Sequence, residues 1–168
     1  MPDQGSARAG GVVSFDLPHE ITTFDLYVEQ GKVLEFARSI GEDDPIYRDA
    51  DVARSRGYDG IPAPLTFSVV SAHFADASRT GGSYLADDLG MDMGRVVQGA
   101  HEWEYHAPVL AGTTLHGTMS LVSDERKTGR RGGGMRIIVR EVVYRDDAGQ
   151  KVLTERLTAI ETEQTVGT

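Results

Sequence analysis

The sequence predicts an α+β fold, an antiparallel sheet of about five strands wrapped around one long central helix. Two observations lead there. From Arg95 onward, four long β-type runs follow one another with only turn signals between them. The most apolar helical stretch, Leu65 to Ala77, stands ahead of those runs rather than between them, so no βαβ alternation arises. With 168 residues and no internal repeat, one domain is expected over residues 12–163, flanked by flexible tails at 1–11 and 164–168.

Each element has its own signal. Short strand-like stretches surround Phe15 and Phe24. Glu29 to Ile40 places Val33, Leu34, Phe36, Ala37 and Ile40 at helical spacing, with Gly41 as a stop. Arg48 to Arg56 reads as a short helix with Asp49 as N-cap, Val52 and Ala53 as its apolar face, and Gly57 as terminator. Leu65 to Ala77 (LTFSVVSAHFADA) is polar only at its Thr, Ser, His and Asp positions, the pattern of a helix enclosed on most sides. Thr80 to Gly94 is a connection with room for one helical turn at Ser83 to Leu89. The four runs are Val96 to His106, Thr113 to Ser123, Met135 to Arg145 and Lys151 to Glu163. In EWEY, Trp103 and Tyr105 point one way and Glu102 and Glu104 the other. Arg136, Arg140 and Glu141 interrupt an otherwise apolar MRIIVREVVY.

Composition excludes several functions. A formal net charge of −9 argues against nucleic acid and anionic membrane surfaces, which need clustered cations. The one basic cluster, Arg126, Lys127, Arg130 and Arg131, lies in the glycine-rich DERKTGRRGGG and reads as an exposed hairpin loop. There is no cysteine, hence no disulfide, thiolate nucleophile or thiolate metal site. His101, His106 and His116 lack the spacing of metal ligands. No stretch has the length and apolarity of a signal peptide or membrane span, so a cytoplasmic location is expected.

The segment with the look of an active site is IGEDDPIYRDADVARSRGYDGIPAPLTF, Ile40 to Phe67. Glu42, Asp43 and Asp44 cluster after a helix stop, and a desolvated carboxylate in such a turn can act as a general base. Tyr47 could exchange a proton only with a pKa far below its usual value of about 10. The plainer alternative is that the acids cap the turn while Tyr47 packs.

This segment resembles the MaoC-like R-specific enoyl-thioester hydratases and (3R)-hydroxyacyl thioester dehydratases. Their hallmark is roughly S-G-D-x-N-P-x-H-x-D followed by I-x-H-G-M-L-T. Here the runs are I-G-E-D-D-P-I-Y-R-D (Ile40 to Asp49) and I-P-A-P-L-T (Ile61 to Thr66), with YHAPV and AGTTL downstream. The resemblance spans about residues 20–162 and implies a hot-dog fold needing neither metal nor cofactor. In that family the Asp and His of the first motif hold the water that adds to the enoyl bond. A glycine of the second offers its N–H to the thioester carbonyl. Those places are taken here by Glu42, Tyr47 and Pro64, with Asp44 at the Asn position.

Three of these changes weaken the chemistry. Glu for Asp shifts the carboxylate by roughly 1.5 Å, a scale that can cost about a hundredfold. Tyr for His removes the side chain that titrates near neutrality. Proline has no N–H to donate, and one lost oxyanion donor costs about 10²–10³ in rate. The A-type subunits of mycobacterial-type (3R)-hydroxyacyl-ACP dehydratases, and the N-terminal halves of tandem hydratases, are similar at these positions, including A-P-L-T-F at Ala63 to Phe67.

That likeness implies a tunnel-shaping subunit paired edge to edge with a catalytic MaoC-type chain, for an acyl thioester of CoA or acyl-carrier protein. Tyr58, Ile61, Ala63, Pro64, Thr66 and Phe67, with Leu65, Val69, Val70 and Phe74 of the apolar helix, would line the acyl path. Two alternatives stay open. One is a self-sufficient homodimeric hydratase, dehydratase or thioesterase using Glu42 and Tyr47, or His73 with Asp76. The other is a non-enzymatic acyl-thioester binding protein.

Overall fold

The computed structural model describes residues 16–71, 89–128 and 133–163. Five strands form one antiparallel sheet: β1 His19–Tyr27, β2 Val96–Tyr105, β3 Thr114–Thr128, β4 Gly134–Arg145 and β5 Lys151–Thr162, in the order β1-β3-β4-β5-β2. The predicted strands all appear within a few residues of their expected limits, except the stretch at Phe15, which lies outside the described residues. No described helix is long and apolar enough to cross a membrane.

The strand face that builds the core follows from the period of two. In β4 the even positions Ile138, Val142 and Tyr144 are fully buried, and in β3 the odd positions Leu115, Met119 and Leu121 are buried beside them, Met119 directly across from Val142 and Gly117 across from Tyr144. Gly117 is required in that row. A Cβ there would stand 2.6 Å from the ring of Phe24, which packs edge-on against Tyr144 at 5.9 Å.

The arginines that interrupt β4 in the sequence turn inward with the apolar residues. Arg136 meets Asp124 through two bonds of 2.9 and 2.6 Å and donates to the Leu89 carbonyl. Arg140 reaches Glu155, which is only 1 % exposed. Glu155 Oε1 also lies 2.7 Å from His101 Nε2, and its Oε2 lies 3.2 Å from the Tyr144 hydroxyl. A carboxylate accepts only, so Tyr144 donates to it and Ser71, 2.9 Å away, donates to Tyr144. Burial and the Glu155 charge hold the Tyr144 phenol well above its usual pKa.

Helix α1, Gln30–Ser39, buries Val33 and Ala37, and Gly41 follows it with φ +75°. Helix α2, Ala50–Ser55, begins as its sequence predicts: Asp49 Oδ1 accepts from the amides of Asp51 at 2.9 Å and Val52 at 3.1 Å. The helix expected from Leu65 is corrected at its start. Residues Phe67–Ser71 form 3₁₀ turns, opened by the Phe67 amide donating to the Pro64 carbonyl. Trp103 Nε1 donates to Ser68 and Tyr144 accepts from Ser71, so both serines tie this turn onto the sheet. The expected remainder of that helix, with His73 and Asp76, and the turn at Ser83 to Leu89 fall on residues 72–88, outside the described set apart from Leu89. Arg130 and Arg131 also lie outside it.

Beside edge strand β1, His116 is held by two carboxylates, Asp25 at 2.8 Å from Nδ1 and Asp147 at 2.9 Å from Nε2. Both ring nitrogens can donate only in the imidazolium, and those bonds to Asp147 and Asp25 raise its pKa above 6.5. Its stabilising contribution is therefore complete below about pH 6.5 and is lost as pH rises through the folded-state value. Thermal melts from pH 6 to 9 should show a fall in Tm that is reduced in His116→Gln; an identical pH profile in the variant would refute the clamp.

Candidate functional site

The segment singled out in the sequence folds as a set of caps. Glu42 is exposed, and its Oε1 accepts from the Asp44 amide at 3.3 Å. Asp44 Oδ1 accepts from the Ile46 amide at 2.9 Å, capping the turn Pro45–Tyr47, and Oδ2 takes Arg56 at 2.6 Å. The Arg56 bond, then the Ile46 amide, hold the Asp44 carboxyl below its usual pKa, so both of its oxygens are engaged and ionised at neutral pH. Tyr47 is half-buried against the core. Its desolvation, followed by the charges of Glu42 and Asp44 and the nearness of Tyr58, pushes its phenol pKa upward. It keeps its proton near neutrality and has no capacity as a base.

The second motif is fixed against the loop after β2. Ala63 N donates to Val109 O and Ala111 N to Ile61 O, both at 2.8 Å, with Pro62 bridging Leu110. The amide of Ala63 is thereby consumed, and the next position, the buried Pro64, has none to offer. Ile61 and Phe67 are core residues, Phe67 packing edge-on against Phe36 of α1 at 5.6 Å. That contact joins the helix leading into Glu42 to the turn carrying Pro64.

Between the second motif and the loop after β2 opens an apolar cleft of about 320 Å³ lined by Tyr58, Pro62, Ala63, Leu65 and the run Tyr105 to Val109. Of the residues named from sequence, Tyr58, Ala63 and Leu65 line it. Ile61, Pro64, Thr66 and Phe67 do not line it, and neither do Glu42, Asp44 and Tyr47. Tyr105, Ala107 and Pro108 were not expected as lining; the signal was present in YHAPV, which reads as a strand-turn motif rather than a wall. The Tyr105 hydroxyl donates to the Leu65 carbonyl, and burial pushes its pKa up to about 12. A larger concavity of about 400 Å³ lies at the other end of β2, where Arg95 pairs with Glu161 at 2.9 Å, Arg136 with Asp124 at 2.6 Å and Lys127 with Glu125 at 2.7 Å.

The antiparallel sheet, its order and the motif turn stacked on it define the MaoC-like dehydratase class of hot-dog proteins, and known proteins bear this out. A family model described as "FAS1-like, dehydratase domain region" matches residues 17–155, and the chain belongs to that family. A UPF0336 protein of Streptomyces avermitilis is 34 % identical over 128 residues, covering 76 % of this chain and 79 % of its own. One from Mycobacterium tuberculosis is 32 % identical over 120 residues, 71 % of this chain and 66 % of its own. Among solved structures, the HadBC (3R-hydroxyacyl-ACP dehydratase) complex of M. tuberculosis matches with TM-score 0.69 and 25 % identity, over 88 % of this chain and 99 % of that one. The ChsH1–ChsH2 complex of the same organism shares the fold, with TM-score 0.66 and 23 % identity over 90 % of this chain and 85 % of that one.

Proposed function

We propose that this chain is the non-catalytic hot-dog subunit of an acyl-thioester (R)-hydratase or dehydratase. It shapes the acyl path and pairs with a MaoC-type chain that carries the working Asp and His. The observation that carries the reading is the pair Ala63–Pro64. At the place where the family's glycine would offer an amide hydrogen to a thioester oxygen, one amide is taken by Val109 and the next is absent. A phenol of raised pKa at Tyr47 and a carboxylate at Glu42 turned to the Asp44 amide supply no replacement proton relay.

The cleft beside Tyr58 and Ala63 is apolar enough to take an acyl chain rather than a charged head. Its substrate is an enoyl or 3-hydroxyacyl thioester of CoA or acyl-carrier protein, and its place is the cytoplasm, where those carriers are found. The two-chain complexes among its structural neighbours, the HadBC dehydratase and ChsH1–ChsH2, support a two-chain assembly.

The test is co-expression with a MaoC-type chain of the same genome that keeps an intact D-x-N-P-x-H. The two should co-purify and hydrate crotonyl-CoA. Within that complex, Glu42→Ala and Tyr47→Phe should leave kcat within about twofold, because a tuned acid–base group would contribute about 10²–10⁴. A loss on that larger scale from either substitution would show that this chain performs the proton transfer itself.

A further inference from the structure

Among the described residues, strand β2 has a hydrogen-bonded neighbour, β5, on one side only, and none of them pairs with the other row of its backbone groups. The two faces beside that edge differ. On the core face stand His101, Trp103 and Tyr105. Beyond them lie Leu65 and Val69, 71 % and 38 % exposed, held beside the edge by the Tyr105–Leu65 and Trp103–Ser68 hydrogen bonds. The outer face carries Glu102 and Glu104, both exposed and pointing the same way. Among the described residues no ion pair or hydrogen bond involves either carboxylate. Arg156, directly across from Glu102 on β5, is committed to Glu141 at 2.7 Å.

Edge-to-edge pairing is what the family resemblance implies; we propose that at this edge the partner is chosen by charge, as a hot-dog chain that presents Lys or Arg at alternate positions of its outer face. Glu102 and Glu104 are the residues that select it. The proposal rests on the pairing stated under Proposed function and names the chemistry of the partner.

The argument is one of charge. Opposite charges facing each other across paired strands stabilise the pair, and like charges oppose it. A second copy of this chain offers no cation for the purpose, because VVQGAHEWEY contains no Lys or Arg. Self-pairing would gather four carboxylates on one face of the joined sheet, between chains that each carry a formal net charge of −9. A basic strand answers both carboxylates at once, while the exposed Leu65 and Val69 beside the same edge gain apolar cover.

The probe is the MaoC-type chain with intact D-x-N-P-x-H, with dissociation constants measured by analytical ultracentrifugation at 0.15 M salt. The double charge reversal E102K/E104K should weaken the complex about tenfold or more, and 1 M salt, with a Debye length of about 3 Å, should narrow that gap. The control E29K/E35K changes the net charge equally at two exposed positions of α1 and its N-cap, and should stay within about twofold of wild type. All four positions are exposed, and circular dichroism verifies that each variant is folded.

Equal affinity for E102K/E104K and wild type would overturn the proposal, as would an equal loss in the control. A wild-type homodimer tighter than the mixed complex would also overturn it, assigning the edge to a second copy. A mixed complex that forms but ignores the reversal defeats this inference alone. No mixed complex at all defeats the pairing reading as well.

Discussion

Replacing Glu155 with alanine is expected to lower stability by about 3–5 kcal/mol. Glu155 lies at the centre of the sheet's core face, 1 % exposed, between His101 at 2.7 Å, Tyr144 at 3.2 Å and Arg140 at 3.4 Å. Removing it strips the anion from a guanidinium that stays inside. The Tyr144 proton and His101 lose their acceptor in the same step. For a chain of 168 residues that loss is a fall in Tm of roughly 6–20 °C.

The loss has a second consequence for the site. Ser71 is tied to Tyr144, and Ser68 to Trp103, whose ring stacks on His101 at 4.0 Å. The turn after Pro64 is therefore seated on this polar cluster. The double variant Glu155→Leu/Arg140→Met should recover most of the stability, since an apolar pair of similar volume carries no buried charge. Urea denaturation decides the matter: a loss under about 1 kcal/mol in Glu155→Ala would show that the cluster is not coupled as described.

Much of the fold was legible in the sequence because it depends on neighbours along the chain. The alternation in EWEY and the β-branched runs of β3 to β5 record which face of each strand is covered. Asp49 announced its own helix through contacts only two and three residues away. What escaped notice depends on partners brought together by pairing. Arg136 and Arg140 read as breaks in an apolar strand; they are inside because Asp124 and Glu155 arrive from other strands.

The site was legible in the same uneven way. Glu42, Asp44 and Tyr58 all stand near enough to Tyr47 to act on its phenol. Yet the cleft's far wall, Tyr105 to Val109, is joined to the second motif by the Ala63–Val109 hydrogen bond and the Pro62–Leu110 bridge, contacts between residues far apart in the chain. The 3₁₀ start at Phe67 was likewise hidden, since Trp103 and Tyr144 fix Ser68 and Ser71 from the sheet.

The second large effect concerns catalysis. A hydratase stabilises the oxygen of its thioester with a backbone amide, and losing one such donor costs about 10²–10³ in rate. The chain offers none at Ala63 or Pro64, and at Tyr47 it holds a phenol where a titrating imidazole would exchange protons. Restoring the amide alone, with Pro64→Gly, should not bring activity back, because on the proposed reading the proton-transfer groups belong to the partner chain. The measurement that bears most directly on this is the enoyl absorbance of crotonyl-CoA mixed with the purified chain alone. The expected trace is flat, or slower by at least about 10² than with the two-chain complex under the same conditions. Hydration by the lone chain at the rate of the complex would contradict the account.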